Sequence, residues 1–227
     1  MSKSIFLNLL LILFCTSLIA QTKSLSNFDA IKTAGSVDVT LMKGSTPRAE
    51  YTIQKGKAED LFLEVDNNVL VVKIKSKKSS WNRSETKAKI TIYYTELASI
   101  ECEAGSSLYS ESEIVTENMS IETSSGANCN IKLQCSNVIL NSSSGSKISL
   151  NGKVSSAKYD ASSGSKINAV SLTASTGDAT ASSGASISLH AIKKLKADAS
   201  SGGSIKYKGK PENVNIDSGK SGSISSF

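Results

Sequence analysis

From residue 98 onward, apolar and polar positions alternate in short runs that stop at a Ser-Gly or Ala-Gly pair and then resume. The chain therefore reads as strand, corner, strand at a nearly constant repeat. The pairs Ala104-Gly105, Ser125-Gly126, Ser144-Gly145, Ser163-Gly164, Ser183-Gly184 and Ser201-Gly202 place their glycines 18 to 21 residues apart. Three residues after each glycine stand Leu108, Cys129, Ile148, Ile167, Ile187 and Ile205; five before it stand Ile100, Ile121, Leu140, Tyr159, Ala179 and Ala197. Two further columns face the same way. The fifth position after the glycine runs Ser110, Ile131, Leu150, Ala169, Leu189, Tyr207, and the third before it is small: Cys102, Thr123, Ser142, Ala161, Ala181, Ala199. The intervening Asn128, Lys147, Lys166, Ser186 and Ser204 must point outward. Gly222-Ser223-Ile224 reads as a truncated last copy, and Gly35 with Val37 and Val39 as an early copy set apart by an insertion.

One such unit cannot bury its own inward face, but stacked units can. Coils about 4.8 Å apart align like residues into ladders around a narrow core of small and branched side chains, which suits an aromatic content of only 5%. The expected fold is all-β, a single-domain parallel β-helix or β-solenoid of about 18–21 residues per coil with an irregular N-terminal cap. Residues 98–227 form the regular repeats. Residues 28–97 are the irregular first coils and cap strands: segments 28–41, 50–54, 61–65, 69–75 and 87–94 alternate, with turns at Gly44-Ser45-Thr46-Pro47 and Asp66-Asn67-Asn68. A cap is needed because a bare terminal coil exposes unpaired backbone and core.

Residues 1–20 read as a signal peptide: Lys3, an apolar run from Ile5 to Phe14, and Ala20 just before Gln21. Cleavage there leaves a chain of 21–227, and the formal charge falls from +6 to +5 with the loss of Lys3. No later run is long and apolar enough for a membrane-spanning helix. The expected location is therefore exported: periplasm, outer surface or secreted, where nucleic acid is not an expected partner. A basic cluster around Lys73, Lys75, Lys77, Lys78, Arg83, Lys87 and Lys89 could attract anionic glycans or lipid headgroups, although alternating strands ordinarily carry such a solvated face.

The opening Phe28-Asp29-Ala30-Ile31, the following Gly35-Ser36-Val37-Asp38-Val39, the strand Asn68-Val69-Leu70-Val71-Val72 and the recurrent Ser-Ser-Gly units carry a resemblance. Together they resemble the bacterial head GIN domain family of autotransporter-type adhesins, over essentially all of residues 26–227. The resemblance implies an export signal and a parallel β-solenoid. A chain ending at Phe227 leaves no room for a membrane-inserted translocator barrel, which counts against an autotransporter reading.

Candidate chemistry is sparse. The single histidine, His190, lies in an outward position shared with Glu111, Lys132 and Asn151, which favours a surface role over a triad. Cys102, Cys129 and Cys135 remain after cleavage; an odd number argues against a full disulfide framework, and the inward columns of Cys102 and Cys129 favour buried thiols, a bridge staying open as the alternative. No paired Cys-x-x-Cys or histidine set suggests a metal, and no cofactor is expected. Four residues before each glycine an outward column runs Glu101, Glu122, Asn141, Asp160, Thr180 and Asp198. Glu101 and Glu122 on adjacent coils would stand about 5 Å apart, the spacing of a retaining glycosidase pair, or could recruit a cation; exposed ladder carboxylates are more often simply solvated. Lys158, Asp178 and Lys196 suggest charge pairing between coils. Trp81, beside Arg83 in a polar loop, could stack on a sugar or protein or tuck against the cap. Ligand-binding candidates are thus Trp81, Arg83, Glu101 and Glu122. The expected function is an exported, non-enzymatic binding or structural protein of the cell envelope, an adhesin-like module for glycan, envelope component or protein. The alternative is a polysaccharide-acting enzyme on a β-helix scaffold.

Overall fold

The computed structural model describes residues 21–75 and 86–227. Its strands in the first part are β1 (Gln21–Ser24), β2 (Ala30–Ala34), β3 (Val37–Lys43), β4 (Arg48–Lys55), β5 (Leu61–Asp66), β6 (Val69–Ile74) and β7 (Lys87–Tyr94). The repeats supply β8 (Ser99–Glu103), β9 (Ser107–Ser110), β10 (Ile114–Val115), β11 (Asn118–Thr123), β12 (Asn128–Ser142), β13 (Lys147–Ala161), β14 (Lys166–Ala181) and β15 (Ser186–Ala199). The last coils are β16 (Ser204–Lys208), β17 (Asn213–Ser218) and β18 (Ser223–Ser226). The molecule is an all-β solenoid of stacked parallel strands, as the repeat predicts.

Register in the regular coils follows the sequence columns. Cys129 pairs with Ile148, Ile148 with Ile167, Ile167 with Ile187 and Ile187 with Ile205, all buried. On the other side of the corner Ile121, Leu140, Tyr159, Ala179 and Ala197 align in the same way. Each fully buried Ile or Leu stabilises by roughly 1.5–3 kcal/mol, so the ladder accumulates a core without large rings. The long strands β12 to β15 run through two faces. Their alternation slips where successive residues face out, as at Ser136-Asn137, Ser155-Ser156 and Lys193-Lys194, and the coil bends there.

The N-terminal part departs from sequence order. The β2–β3 coil is sandwiched, with Ile31 opposite Leu70 on one side and Ile100 on the other, and Val39 between Ile90 and Leu108. The β6–β7 coil, later in sequence, is therefore outermost. Its far edges are covered by antiparallel strands: β5 on β6, β4 on β7 and β1 on β4. The reversal comes from a two-residue turn in which Asn67 and Asn68 both have positive φ, 48° and 63°, a geometry asparagine tolerates. The strands of this part are coils and covering strands, in an order that sequence continuity does not suggest. The early copy is also offset by one residue. Val39 aligns with Leu108, which puts Ser36 rather than Gly35 opposite Gly105, and the corner closes by a tighter bond from Val37 N–H to the Gly35 carbonyl at 2.7 Å.

Candidate functional site

What the solenoid offers to a partner is set by its corner. In each regular corner both central residues have positive φ, about +50° at the serine, or at Ala104 in the first corner, and +70° to +79° at the glycine. The next residue's N–H closes the turn, as from Ser146 to the Ser143 carbonyl and from Ser165 to the Ser162 carbonyl, each 3.1 Å. This is a two-residue turn of the hairpin kind, for which glycine in the second place carries no Cβ penalty. The glycine N–H then reaches the next coil, Gly145 N–H to the Ser163 carbonyl at 3.0 Å, so the corners fuse into a ridge. Beneath it lies a column the sequence pattern did not flag, the residue just after each glycine. Ser106, Ser146 and Ser165 are buried there, and Ser146 Oγ lies 2.9 Å from Thr123 Oγ1 and 3.0 Å from Ser142 Oγ while its one O–H donates to a main-chain carbonyl, that of Ser143 at 2.7 Å or of Thr123 at 2.9 Å. Buried hydroxyls are satisfied by one another and by the backbone, which stiffens the ridge.

The face before the ridge is acidic. Glu101 and Glu122 are direct partners on adjacent coils, and Asn141, Asp160, Thr180 and Asp198 continue the column. The misplaced β2–β3 coil sets Lys32 beside Glu101, with Lys32 Nζ 2.6 Å from Glu101 Oε1 and 3.3 Å from Glu103 Oε2. The hydrogen bond to Glu101 is the main cause that raises the Lys32 ammonium above the usual lysine range, partly opposed by burial. Glu101 is therefore engaged in an ion pair instead of confronting Glu122 alone. Glu122, Asn141 and Asp160 line a shallow groove of about 270 Å³ with the ridge serines. One step outward, Lys196 bridges to Asp178 of the adjacent coil at 3.7 Å, whereas Lys158 pairs with Asp160 of its own strand at 3.2 Å. Of the expected inter-coil pairing, one link is formed between coils and the other within one. Trp81 and Arg83 lie outside the described residues.

Beyond the ridge the opposite face carries a different chemistry. Its first outward column runs Ser107, Asn128, Lys147, Lys166, Ser186, Ser204 and its second Tyr109, Asn130, Ser149, Asn168, Ser188, Lys206, each in register across the coils. Tyr109 is 38% exposed. With Asn128, Asn130 and Lys147 it lines a groove of about 330 Å³.

Residues 27–211 match the family described as "Putative auto-transporter adhesin, head GIN domain". The chain belongs to this family. Solved structures share the fold of the head GIN domain. A putative adhesin from Bacteroides fragilis is 21% identical over 93% of this chain and 98% of its own, with a TM-score of 0.82. A putative lipid binding protein from Parabacteroides distasonis is 23% identical over 92% and 96%, with a TM-score of 0.71. A putative adhesin from Parabacteroides merdae is 16% identical over 94% and 97%, with a TM-score of 0.72. Among curated proteins there is no match.

Cys102 and Cys129 of this head GIN domain are buried, as their inward columns require. His190 is half-buried next to Thr173, Oγ1 to Nδ1 3.4 Å; burial, and then the charge of Lys208, push it below the usual histidine range. Cys102, Cys129 and Cys135 are buried free thiols. The neighbouring Cys102 thiol and full burial hold Cys129 well above the ordinary thiol range. Cys135 is pushed up to about 11 by burial. Among the described residues no three His, Cys, Asp or Glu side chains gather to hold a metal ion. Sequence reasoning missed a cap cluster in which Arg48 lies 3.5 Å from the Tyr93 ring centroid and both residues contact the Glu50 carboxylate at 3.3 Å. Nothing in the alternation of β4 and β7 shows that they pair antiparallel, which is what brings these residues together.

Proposed function

We propose that this head GIN domain protein is an exported, non-enzymatic binding module of the cell envelope. In this reading residues 1–20 are a signal peptide and residues 21–227 one solenoid domain that displays side chains to a partner. The observation that carries it is the register itself: outward residues on successive coils are fixed opposite one another at the ladder spacing of about 4.8 Å, on a ridge whose hydroxyls are internally bonded. A rigid periodic surface binds with little ordering cost, and this favours recognition of an equally periodic or extended partner. The adhesin descriptions of the Bacteroides fragilis and Parabacteroides merdae proteins support a binding role, and that of the Parabacteroides distasonis protein keeps a lipid or other envelope component among the partners. Glu101, Glu122, Trp81 and Arg83 are candidate contacts. The ion pair of Lys32 with Glu101 weighs against a hydrolytic carboxylate pair, because the acid of such a pair must hold a transferable proton.

The test is a glycan, polysaccharide and lipid array probed with the chain from Gln21 onward, with new reducing ends assayed in parallel. Saturable binding without cleavage is expected. Cleavage that is lost in Glu122→Gln would replace the binding module by the enzyme.

A further inference from the structure

The two faces that meet at the ridge differ in how their charges are satisfied. On the acidic face Lys32, Lys158 and Lys196 each have a carboxylate within 3.7 Å. On the opposite face Lys147, Lys166, Lys206 and Lys208 are exposed, and none has a carboxylate partner among the described residues. Lys147 and Lys166 are direct partners on adjacent coils, so two like charges stand opposite each other, an arrangement that destabilises a sheet. The fold does not require lysine in that column, since Ser107, Ser186 and Ser204 occupy it elsewhere. No carboxylate appears in the first two outward columns between β9 and β16. At the C-terminal end of the face Lys208 stands opposite His190 on the adjacent coil.

At the N-terminal end of the same face the Tyr109 ring and the Asn130 amide are partners in the ladder, above the lysines. An exposed ring with an apolar face beside amides that both donate and accept is the chemistry that holds a pyranose ring. The exposed aliphatic side chains Val115, Ile139, Ile192, Val214 and Ile216 lie outside these two columns, as does Phe227 beside Lys208 at the C-terminal end, so the two columns themselves lack the apolar anchors of a membrane-docking surface. A single aromatic also falls short of the successive stacking platforms that single-stranded nucleic acid uses.

We propose that this face binds an acidic polysaccharide laid along the solenoid axis, with Tyr109 stacking on one sugar and Lys147, Lys166 and Lys206 meeting carboxylates or sulfates of the following ones. Lys147 and Lys166 stand on neighbouring coils about 4.8 Å apart and Lys206 two coils beyond Lys166, so anionic groups along such a chain meet them in turn. The proposal rests on the binding-module reading and gives it a ligand class and a face.

Binding of the chain from Gln21 onward would be measured by interferometry on polygalacturonate and on neutral dextran, at low and at physiological salt. Polygalacturonate is expected to bind saturably and with strong salt dependence, and dextran at least tenfold more weakly. Lys147→Ser with Lys166→Ser, which installs the residue the column already holds elsewhere, is expected to weaken polygalacturonate at least tenfold. Tyr109→Ala should weaken it several-fold with the salt dependence unchanged, and Lys158→Ser with Lys196→Ser on the other face should leave it intact. Thermal melts of every variant separate lost binding from lost folding. Equal binding of dextran, an unaffected Lys147/Lys166 variant, or equally tight binding of single-stranded DNA or of vesicles of phosphatidylglycerol would each overturn the proposal. If the array finds a ligand whose binding ignores Lys147 and Lys166, the acidic-polysaccharide face falls while the binding module stands; if the array finds none, the face falls together with the glycan and lipid partners, and only a protein partner is left to the module.

Discussion

Tyr159 is the one large ring in a column that otherwise shrinks from Leu140 to Ala179 and Ala197, and it fills the space those alanines and Gly177 leave. It is fully buried, and its hydroxyl has no hydrogen-bond partner among the described residues. Burial pushes its phenol far above the usual tyrosine range. A buried hydroxyl that loses its water without gaining a partner costs about 1–3 kcal/mol. Tyr159→Phe keeps the ring and removes that cost, so it is expected to stabilise by about 1 kcal/mol. For a chain of this size that raises Tm by about 2–4 °C. Tyr159→Ala is expected to lose about 3–5 kcal/mol, because the neighbouring small residues cannot close over the void. Guanidinium melts followed by circular dichroism give the sign directly. A Phe variant that is less stable than the parent, or a Tyr159 phenol that titrates near pH 10 in the folded protein, would show that the hydroxyl is satisfied in the core and sink the reasoning.

Other outcomes follow from the corner and the buried groups. Gly164 has φ +70° and open space where a Cβ would go, so Gly164→Ala is expected to lose about 1–2 kcal/mol from backbone conformation alone, while Ser163→Gly at φ +52° loses nothing measurable; paired melts decide it. His190 should titrate below pH 6.5 by proton NMR, and Lys208→Gln should move it partway back up. Because its folded value lies below the unfolded one, its contribution to stability is present above pH 6.5 and is lost as pH falls through the folded value. Cys135, held near 11 and 8% exposed, should react with iodoacetamide at pH 8 far more slowly than a free thiol, and no slower once the chain is unfolded than any unfolded cysteine.

The regular coils were legible because one period repeats in the chain. Columns such as Cys129, Ile148 and Ile167 were assigned by counting from a glycine, and stacking then leaves a single register. Glu101 opposite Glu122 follows from the same count. Lys32 beside Glu101 does not, because that contact depends on which coil sits next to β8, and alternation in β2 or β6 says nothing of neighbour order. The inward serines after each glycine were hidden for a different reason: a polar residue reads as outward until the turn geometry that buries Ser106, Ser146 and Ser165 is known. The basic face was visible residue by residue, as Lys147 and Lys166 in an outward column, but the absence of acids from its two columns between β9 and β16 emerges only when the columns lie side by side.

The β2–β3 coil is first in sequence and second in space, and this constrains the order of assembly. Ile31 must wait for Leu70 on one side and Ile100 on the other, whereas the regular coils close loops of 18 to 21 residues. Short closures come first, because the entropy of bringing chain ends together grows with their separation. Nucleation is therefore expected among β12 to β15, with growth running back toward the N-terminus, the local β5–β6 hairpin docking as a preformed unit and the antiparallel strands β4 and β1 closing last. A chain that emerges N-terminus first would then hold its opening hundred residues in waiting, and the end made earliest would be the last to become structure.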